Sequence, residues 1–324
     1  METLKTMKIF REDLASYLDK EIETFFLVTE KELREGKSGS YLRIRISDRT
    51  GNIMGNVWNN AVSISEKFEA GDIIKLKGMV IKFKEQLQIT VQKIRKVQDF
   101  EIDLSDYISA TEKDINKLSE RLFGIVDSIT NPYLSALLKL IFDDKVFYEK
   151  FAKAPAAKGW HHNYLGGLLE HTVAVANICD FASHNYNVDR ELLLCGALLH
   201  DTGKVQEYRP APAIDFTDIG RLLGHIVIAD QIICEKSRQI DHFPAELLMK
   251  LRHMILSHHG EYDKGSVRLP QMLEAVLLHH ADNLDAQVTG VSQVIKGQHQ
   301  GKWSEFDRLN SRYYYTGTKE DENK

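Results

Sequence analysis

The sequence predicts a multidomain chain in which a small all-β barrel at the N-terminus is followed by an all-α helical bundle. Three observations predict it. Up to Val97 the apolar residues fall in short runs that alternate with polar ones and are separated by turn residues. Beyond an acidic stretch, Asp99–Tyr107, the apolar residues recur at helical spacing instead. All thirteen histidines lie after residue 160, so the two halves also differ in chemistry.

In the first half, Thr24–Thr29 reads as a strand. Ser40–Ser47 alternates Leu42, Ile44 and Ile46 with Tyr41, Arg43 and Arg45, which is the period of a half-buried strand. Asp48–Gly51 has turn chemistry, and Asn52–Trp58 is the returning arm. A short helix is expected within Asn60–Phe68. Asp72–Ile81 and Leu87–Val97 supply two further strands. Five strands with a helix before the fourth is the order of an OB-fold barrel.

In the second half, Thr111 with Asp114 reads as a weak capping box opening a helix to Ser128. Asn131-Pro132 opens the next, with proline in its first turn. Further helices are expected over 167–184, 190–200, 220–241, 245–258 and 270–296. The tail from Trp303 mixes aromatics with a charged, frayed end.

The net charge of −5 is unevenly spread: between Ser40 and Phe100 eleven Lys/Arg face six Asp/Glu. A basic segment on an acidic chain suits a polyanionic partner, although small domains also drift this far by chance. Cys179, Cys195 and Cys234 are far apart, with no CxxC pair, as expected for buried thiols in a reducing compartment. The N-terminus has no apolar signal region, and the run Leu192–Leu199 is too short to span a bilayer. The expected location is the cytoplasm, without membrane contact.

The chemistry centres on His200-Asp201, in LLLCGALLHDTGK. An apolar run leads straight into an adjacent imidazole and carboxylate. A buried helix that ends in two metal-competent side chains is hard to explain as core packing, and both groups bind first-row metals. Around the pair stand His171 (LLEHT) upstream, His225 (LLGHI) and His258-His259 (LSHHGEYD) after it, and Asp282 (HHADNLDA) last.

These segments, in this order, resemble the HD superfamily of metal-dependent phosphohydrolases over about Pro132–Gly297. The resemblance implies one ion held by His171, His200, Asp201 and Asp282, and a second held by Asp201, His225, His258 and His259. Two cations roughly 3.5–4 Å apart would activate a bridging hydroxide as nucleophile. The mixed nitrogen and oxygen donors favour manganese, with iron or zinc as alternatives, over magnesium. Lys204, three residues after Asp201, is expected to neutralise charge on the phosphate, or else to be a surface lysine at a helix end. His161-His162, in a Gly-flanked loop, is expected to bind substrate phosphate or donate a proton to the leaving oxygen, or to be structural. His279 and His280 lie close before Asp282, and at most one faces the site. His184, His242, His253 and His299 read as structural or exposed. Asp285, one turn after Asp282, is placed to orient a ligand imidazole.

OB folds bind single strands by stacking bases on aromatics and tracking phosphates with basic side chains. The candidates are Tyr41, Arg43, Arg45, Trp58, Lys82, Phe83 and Lys84, with Phe25. Phe25 and Trp58 fit barrel core equally well. An OB domain followed by an HD domain resembles the YhaM-type 3′–5′ exoribonucleases. That resemblance implies single-stranded RNA as partner, with single-stranded DNA and a homo-oligomer left open, and nucleoside 5′-monophosphates as products. The alternative is a phosphohydrolase of a nucleotide or cyclic dinucleotide. Against it, Gly-Glu-Tyr-Asp follows His259 where the cyclic-dinucleotide branch carries its GYP extension. A non-enzymatic nucleic-acid-binding protein with a structural metal is a third reading. The expected domains are 1–100 (OB), 101–130 (linker and connecting helix), 131–300 (HD) and 301–324 (tail).

Overall fold

The computed structural model describes residues 8–36, 39–84, 86–97, 103, 106–107, 110–158, 162–209, 214–296, 301–307 and 309–317. The chain divides into two units, Met1–Ala110 with Pro210–Asp215, and Thr111–Arg209 with Phe216–Lys324.

The first unit is a closed five-stranded barrel in the order β1-β2-β3-β5-β4. Its strands are β1 (Glu21–Gly36), β2 (Gly39–Asp48), β3 (Gly51–Val57), β4 (Ile73–Phe83) and β5 (Gln86–Lys96), with α1 (Ala61–Ser65) between β3 and β4. The long β1 pairs with β4 through Glu21–Leu27 and with β2 through Leu27–Gly36. A register shift between Val28 and Glu30 marks the bend that lets one strand serve both neighbours. The parallel pairing of β3 with β5, Met54 opposite Gln88, completes the ring. This is the OB fold expected from the strand order.

The alternation read in the sequence is the inside-outside alternation of the barrel. Leu42, Ile44 and Ile46 are fully buried and meet Phe26, Val28, Ile74, Leu76, Val80 and Ile89 in one core. Phe25 is also buried, on the other side of β1, packed with Leu27, Ile73, Val97 and Tyr107. It is therefore not a base-stacking surface, which corrects that expectation.

The second unit is helical: α2 (Ile115–Asp127), α3 (Pro132–Phe142), α4 (Lys145–Lys153), α5 (Gly167–Ser183), α6 (Arg190–Leu199), α7 (Lys204–Glu207), α8 (Asp218–Ser237), α9 (Ala245–Ser257) and α10 (Leu273–Lys296). Residues Leu192 to Leu199 of α6 are all buried, so this helix runs through the core with apolar surface all round. It packs among Leu168 and Val175 of α5, Leu251 and Met254 of α9, and Leu278 of α10. Asn131 caps α3 ahead of Pro132, as expected. The capping box does not form at Thr111. Asp114 caps α2 instead, accepting from the N–H groups of Asn116 and Lys117, while the Thr111 hydroxyl donates to Glu170. α4, capped by Asp144, was not foreseen. In the tail, the aromatic part is tied together, and the charged end, 318–324, lies outside the described residues. Ser304 N–H donates to the Tyr314 carbonyl and Thr316 N–H to that of Lys302, with Trp303 against Tyr315 and Phe306 against Tyr313.

Candidate metal centre

Helix ends deliver part of the site, and the interiors of α5 and α10 deliver His171 and Asp282. A helix leaves its last carbonyls without intrahelical donors. His200 and His258 cap the C-termini of α6 and α9, and each turns its Nδ1 back to such a carbonyl: Ala197 at 2.8 Å and Ile255 at 2.7 Å. A carbonyl only accepts, so Nδ1 carries the proton and Nε2 presents a lone pair. His259 does the same through the Lys264 carbonyl at 2.8 Å. For His171 on α5 and His225 on α8 the acceptors are carboxylates, Asp285 at 2.7 Å and Glu207 at 3.0 Å. The Nε2 atoms of His171, His200, His225 and His258 thus converge on one place, with His259 Nε2 against that of His225.

That place is Asp201. Its Oδ2 lies 3.4 Å from His171 Nε2 and 3.3 Å from His200 Nε2, and Asp282 Oδ1 lies 3.1 Å from His171 Nε2. The other oxygen, Oδ1, lies 3.6 Å from His225 Nε2 and 3.7 Å from His258 Nε2. His259 Nε2 is 3.3 Å from His225 Nε2. One carboxylate therefore stands between two donor clusters, His171-His200-Asp282 and His225-His258-His259.

The donors fit divalent cations. Asp201 Oδ1 and His258 Nε2 are buried and have no hydrogen-bond partner among the described residues. Such atoms are costly unless something binds them. Burial pushes His258 down, helped by His259 and His200, to well below the usual imidazole range; burial and His225 lower His259 too. Both rings are then neutral at pH 7, as ligands must be. Burial also pulls His171 down, yet Asp201, Asp282 and Asp285 outweigh it and hold the ring well above its ordinary value. Burial raises Asp201, but Lys204 and His200 prevail and keep it ionised. The cluster draws positive charge inward.

Backbone proximity fixes the frame. At Gly203, between Asp201 and α7, an added Cβ would sit 2.0 Å from the His225 carbonyl oxygen. Gly203→Ala is expected to destabilise the fold by about 2 kcal/mol or more, because the obstacle is backbone and cannot rotate away. A urea denaturation midpoint equal to that of the parent would contradict this.

The remaining candidates fall in different places. Lys204 is buried, and its ammonium donates to Asp201 Oδ2 at 2.6 Å. His162 is also buried, behind the cluster. Its Nε2 meets Asp285 at 2.9 Å and its Nδ1 meets the Tyr164 hydroxyl at 2.8 Å, which in turn donates to Glu170. Both ring nitrogens therefore face protein partners, and through Asp285 the ring braces His171. His161 and His299 lie outside the described residues. His279 Nδ1 donates to the His258 carbonyl. Asp285 was legible from its spacing. Glu207 was not singled out, although its place three residues after Lys204 on a short helix was a signal.

On the barrel, Tyr41 and Trp58 form a stacked pair with centroids 4.8 Å apart, and Trp58 is 55 % exposed. They lie one step beyond the Leu42–Val57 pair of the β2–β3 ladder. Arg43 and Arg45 share that outer face, with Arg45 paired to Glu30 at 3.2 Å; these residues, with Glu32, Arg34 and Met54, line a shallow groove. Phe83 is exposed at the β4–β5 turn, with the Lys84 ammonium 5.6 Å from its ring and Lys82 beside it.

Residues 168–287 match the family model of the HD domain, and residues 27–97 match that of the OB-fold nucleic acid binding domain. The chain joins an OB-fold domain to an HD domain. The HD domain indicates a metal-dependent phosphohydrolase, and its pairing with the OB-fold domain fits a nucleic acid hydrolase. Among solved structures, the chain is similar to the second OB-fold domain of replication protein A from Methanococcus maripaludis. The identity is 22 % over 29 % of this chain and 97 % of that one, with a TM-score of 0.24. It is also similar to a replication protein A heterotrimer bound to ssDNA, at 18 % identity over 25 % of this chain and 59 % of that chain, with a TM-score of 0.21. Among the described residues, no helix is long and apolar enough to cross a membrane.

Proposed function

We propose that the protein is a 3′–5′ exoribonuclease of the YhaM type, releasing nucleoside 5′-monophosphates from single-stranded RNA, with single-stranded DNA as a secondary substrate. The observation that carries the hydrolytic half is the carboxylate of Asp201 set between two clusters of histidine Nε2 atoms. The residues that would hold two ions are His171, His200, Asp201 and Asp282 for one, and Asp201, His225, His258 and His259 for the other. Manganese suits this donor set best, with iron or zinc as alternatives. Bound there, such ions supply an activated water and neutralise the phosphoryl oxygens.

The chain's own residues do the rest. Asp285 and the backbone carbonyls hold the imidazoles in one tautomer and orientation. Lys204, on the same carboxylate, is placed to offer its ammonium to a phosphoryl oxygen as charge develops. His162 serves by bracing Asp285, which is the structural one of the roles expected for it, beside phosphate binding and proton donation. Tyr41 and Trp58 offer stacked rings to bases, and Arg43, Arg45, Lys82 and Lys84 offer charge to phosphates, with Phe83 as a further ring. The expected boundaries, 1–100 for the OB domain and 131–300 for the HD domain, remain part of this proposal, as does a cytoplasmic location.

Stacking on an aromatic contributes about 1–3 kcal/mol per base. Trp58→Ala is therefore expected to weaken binding of a single-stranded RNA about 10-fold, while hydrolysis of a small phosphodiester such as bis(p-nitrophenyl) phosphate stays at the parent rate. Fluorescence anisotropy and a colorimetric assay measure the two. Unchanged RNA affinity in both Trp58→Ala and Tyr41→Ala would remove the barrel from the substrate path. Chromatography of the products tests the reaction itself: nucleoside 5′-monophosphates support it, and short oligonucleotides oppose it.

A further inference from the structure

The two carboxylates behind the histidines are not alike. Asp285 sits on α10, one turn from Asp282, and holds a ring on a regular helix. Glu207 works on a helix that is broken. α8 carries Gly224 at φ 73°, ψ 157°, a conformation open to glycine and strained for other residues, and His225 follows it directly. The Glu207 Oε1 accepts from the His225 backbone N–H and from the His225 Nδ1, both at 3.0 Å. The same oxygen therefore caps the helix segment that restarts at His225 and turns its ring. Glu207 is itself held in place. Its backbone carbonyl accepts from Thr217 N–H at 2.9 Å, and Gly220 leaves room for that carbonyl, which an added Cβ would approach to 2.3 Å. Glu207 is buried, with 5 % exposure.

We propose that Glu207 and the Gly224 break together form a positioning device for the second ion alone. Glu207 grips backbone and ring of His225 at the break and aims its Nε2 at Asp201 Oδ1, so the second ion's affinity depends on Glu207 while the first ion's depends on Asp285. The inference rests on the two-ion reading of the site.

The test is manganese binding to the full-length chain, with free ion counted by electron paramagnetic resonance across a titration. The parent should bind two ions per chain. Glu207→Ala should keep one at parental affinity and weaken the other about 10- to 100-fold. Glu207→Gln, which retains an oxygen for the backbone N–H and loses the charge, should fall between them. Gly224→Ala, which strains the break without touching a donor, should lose the same ion. Asp285→Asn should weaken the other ion instead, a split that general loss of structure would not produce. Two ions at parental affinity in Glu207→Ala, or equal weakening of both ions in the folded Glu207→Gln, would overturn the proposal. A parent that binds a single ion would overturn the two-ion reading itself, and the device with it.

Discussion

Replacing Asp201 with Asn is expected to lower turnover by about 10³-fold or more while RNA affinity stays within about twofold. Asp201 is the one side chain shared by both donor clusters, with one oxygen toward each. An amide presents a single weak acceptor and an NH₂, so it can serve one cluster at most. Electrostatic contributions lost from such sites commonly cost 10²–10³ each, and here two are lost together. The substitution also leaves the buried Lys204 ammonium without its carboxylate partner. A destabilisation of about 1–3 kcal/mol should accompany the loss of activity. Single-turnover kinetics and anisotropy separate the effects, with circular dichroism confirming a folded chain. Parental turnover would show that chemistry does not occur at this carboxylate.

Removal of divalent cations is expected to have an effect as large. Prolonged chelation should abolish hydrolysis, and manganese should restore it more fully than magnesium, which prefers all-oxygen donors. Stability should fall too, because a ligand that binds only the native state contributes about 2.7 kcal/mol at a hundredfold excess over its dissociation constant. For a unit of the size of the helical one that corresponds to a drop in Tm on the order of 5–10 °C. The loss should belong to the helical unit, with barrel-specific signals unmoved. Full activity after exhaustive chelation, with no change in Tm, would exclude the metal reading.

Part of the site was legible in the sequence because His200-Asp201 and His258-His259 follow directly on the ends of helices. Leu192–Leu199 is apolar on every face, so its helix has to be interior, and whatever ends it is interior too. That reasoning leads to His200 and Asp201. The OB fold was legible in the strand order and the Leu42-Ile44-Ile46 alternation, since a period of two has only one buried face. The Nδ1 partners were less visible. They are mostly backbone carbonyls, which every residue has, and only the C-terminal position of His200 and His258 selects them. Glu207 was hidden for another reason. Its role depends on a break at Gly224, whereas helical spacing continues from Gly220 to Asp241 as though unbroken. The Gly-His step was a signal that periodicity overrides. Trp58 fits barrel core and exposed outer face equally in one dimension, and only the register that sets it beside Tyr41 separates the two.

The most direct test of the central claim uses 5′-labelled single-stranded RNA and the full-length protein, with manganese and with chelator, resolved on a sequencing gel. The account predicts a manganese-dependent ladder that shortens one nucleotide at a time from the 3′ end, absent with chelator and absent in Asp201→Asn. Intact RNA under conditions where the same preparation hydrolyses a small phosphodiester would contradict it, and would assign the HD site to a nucleotide-sized substrate.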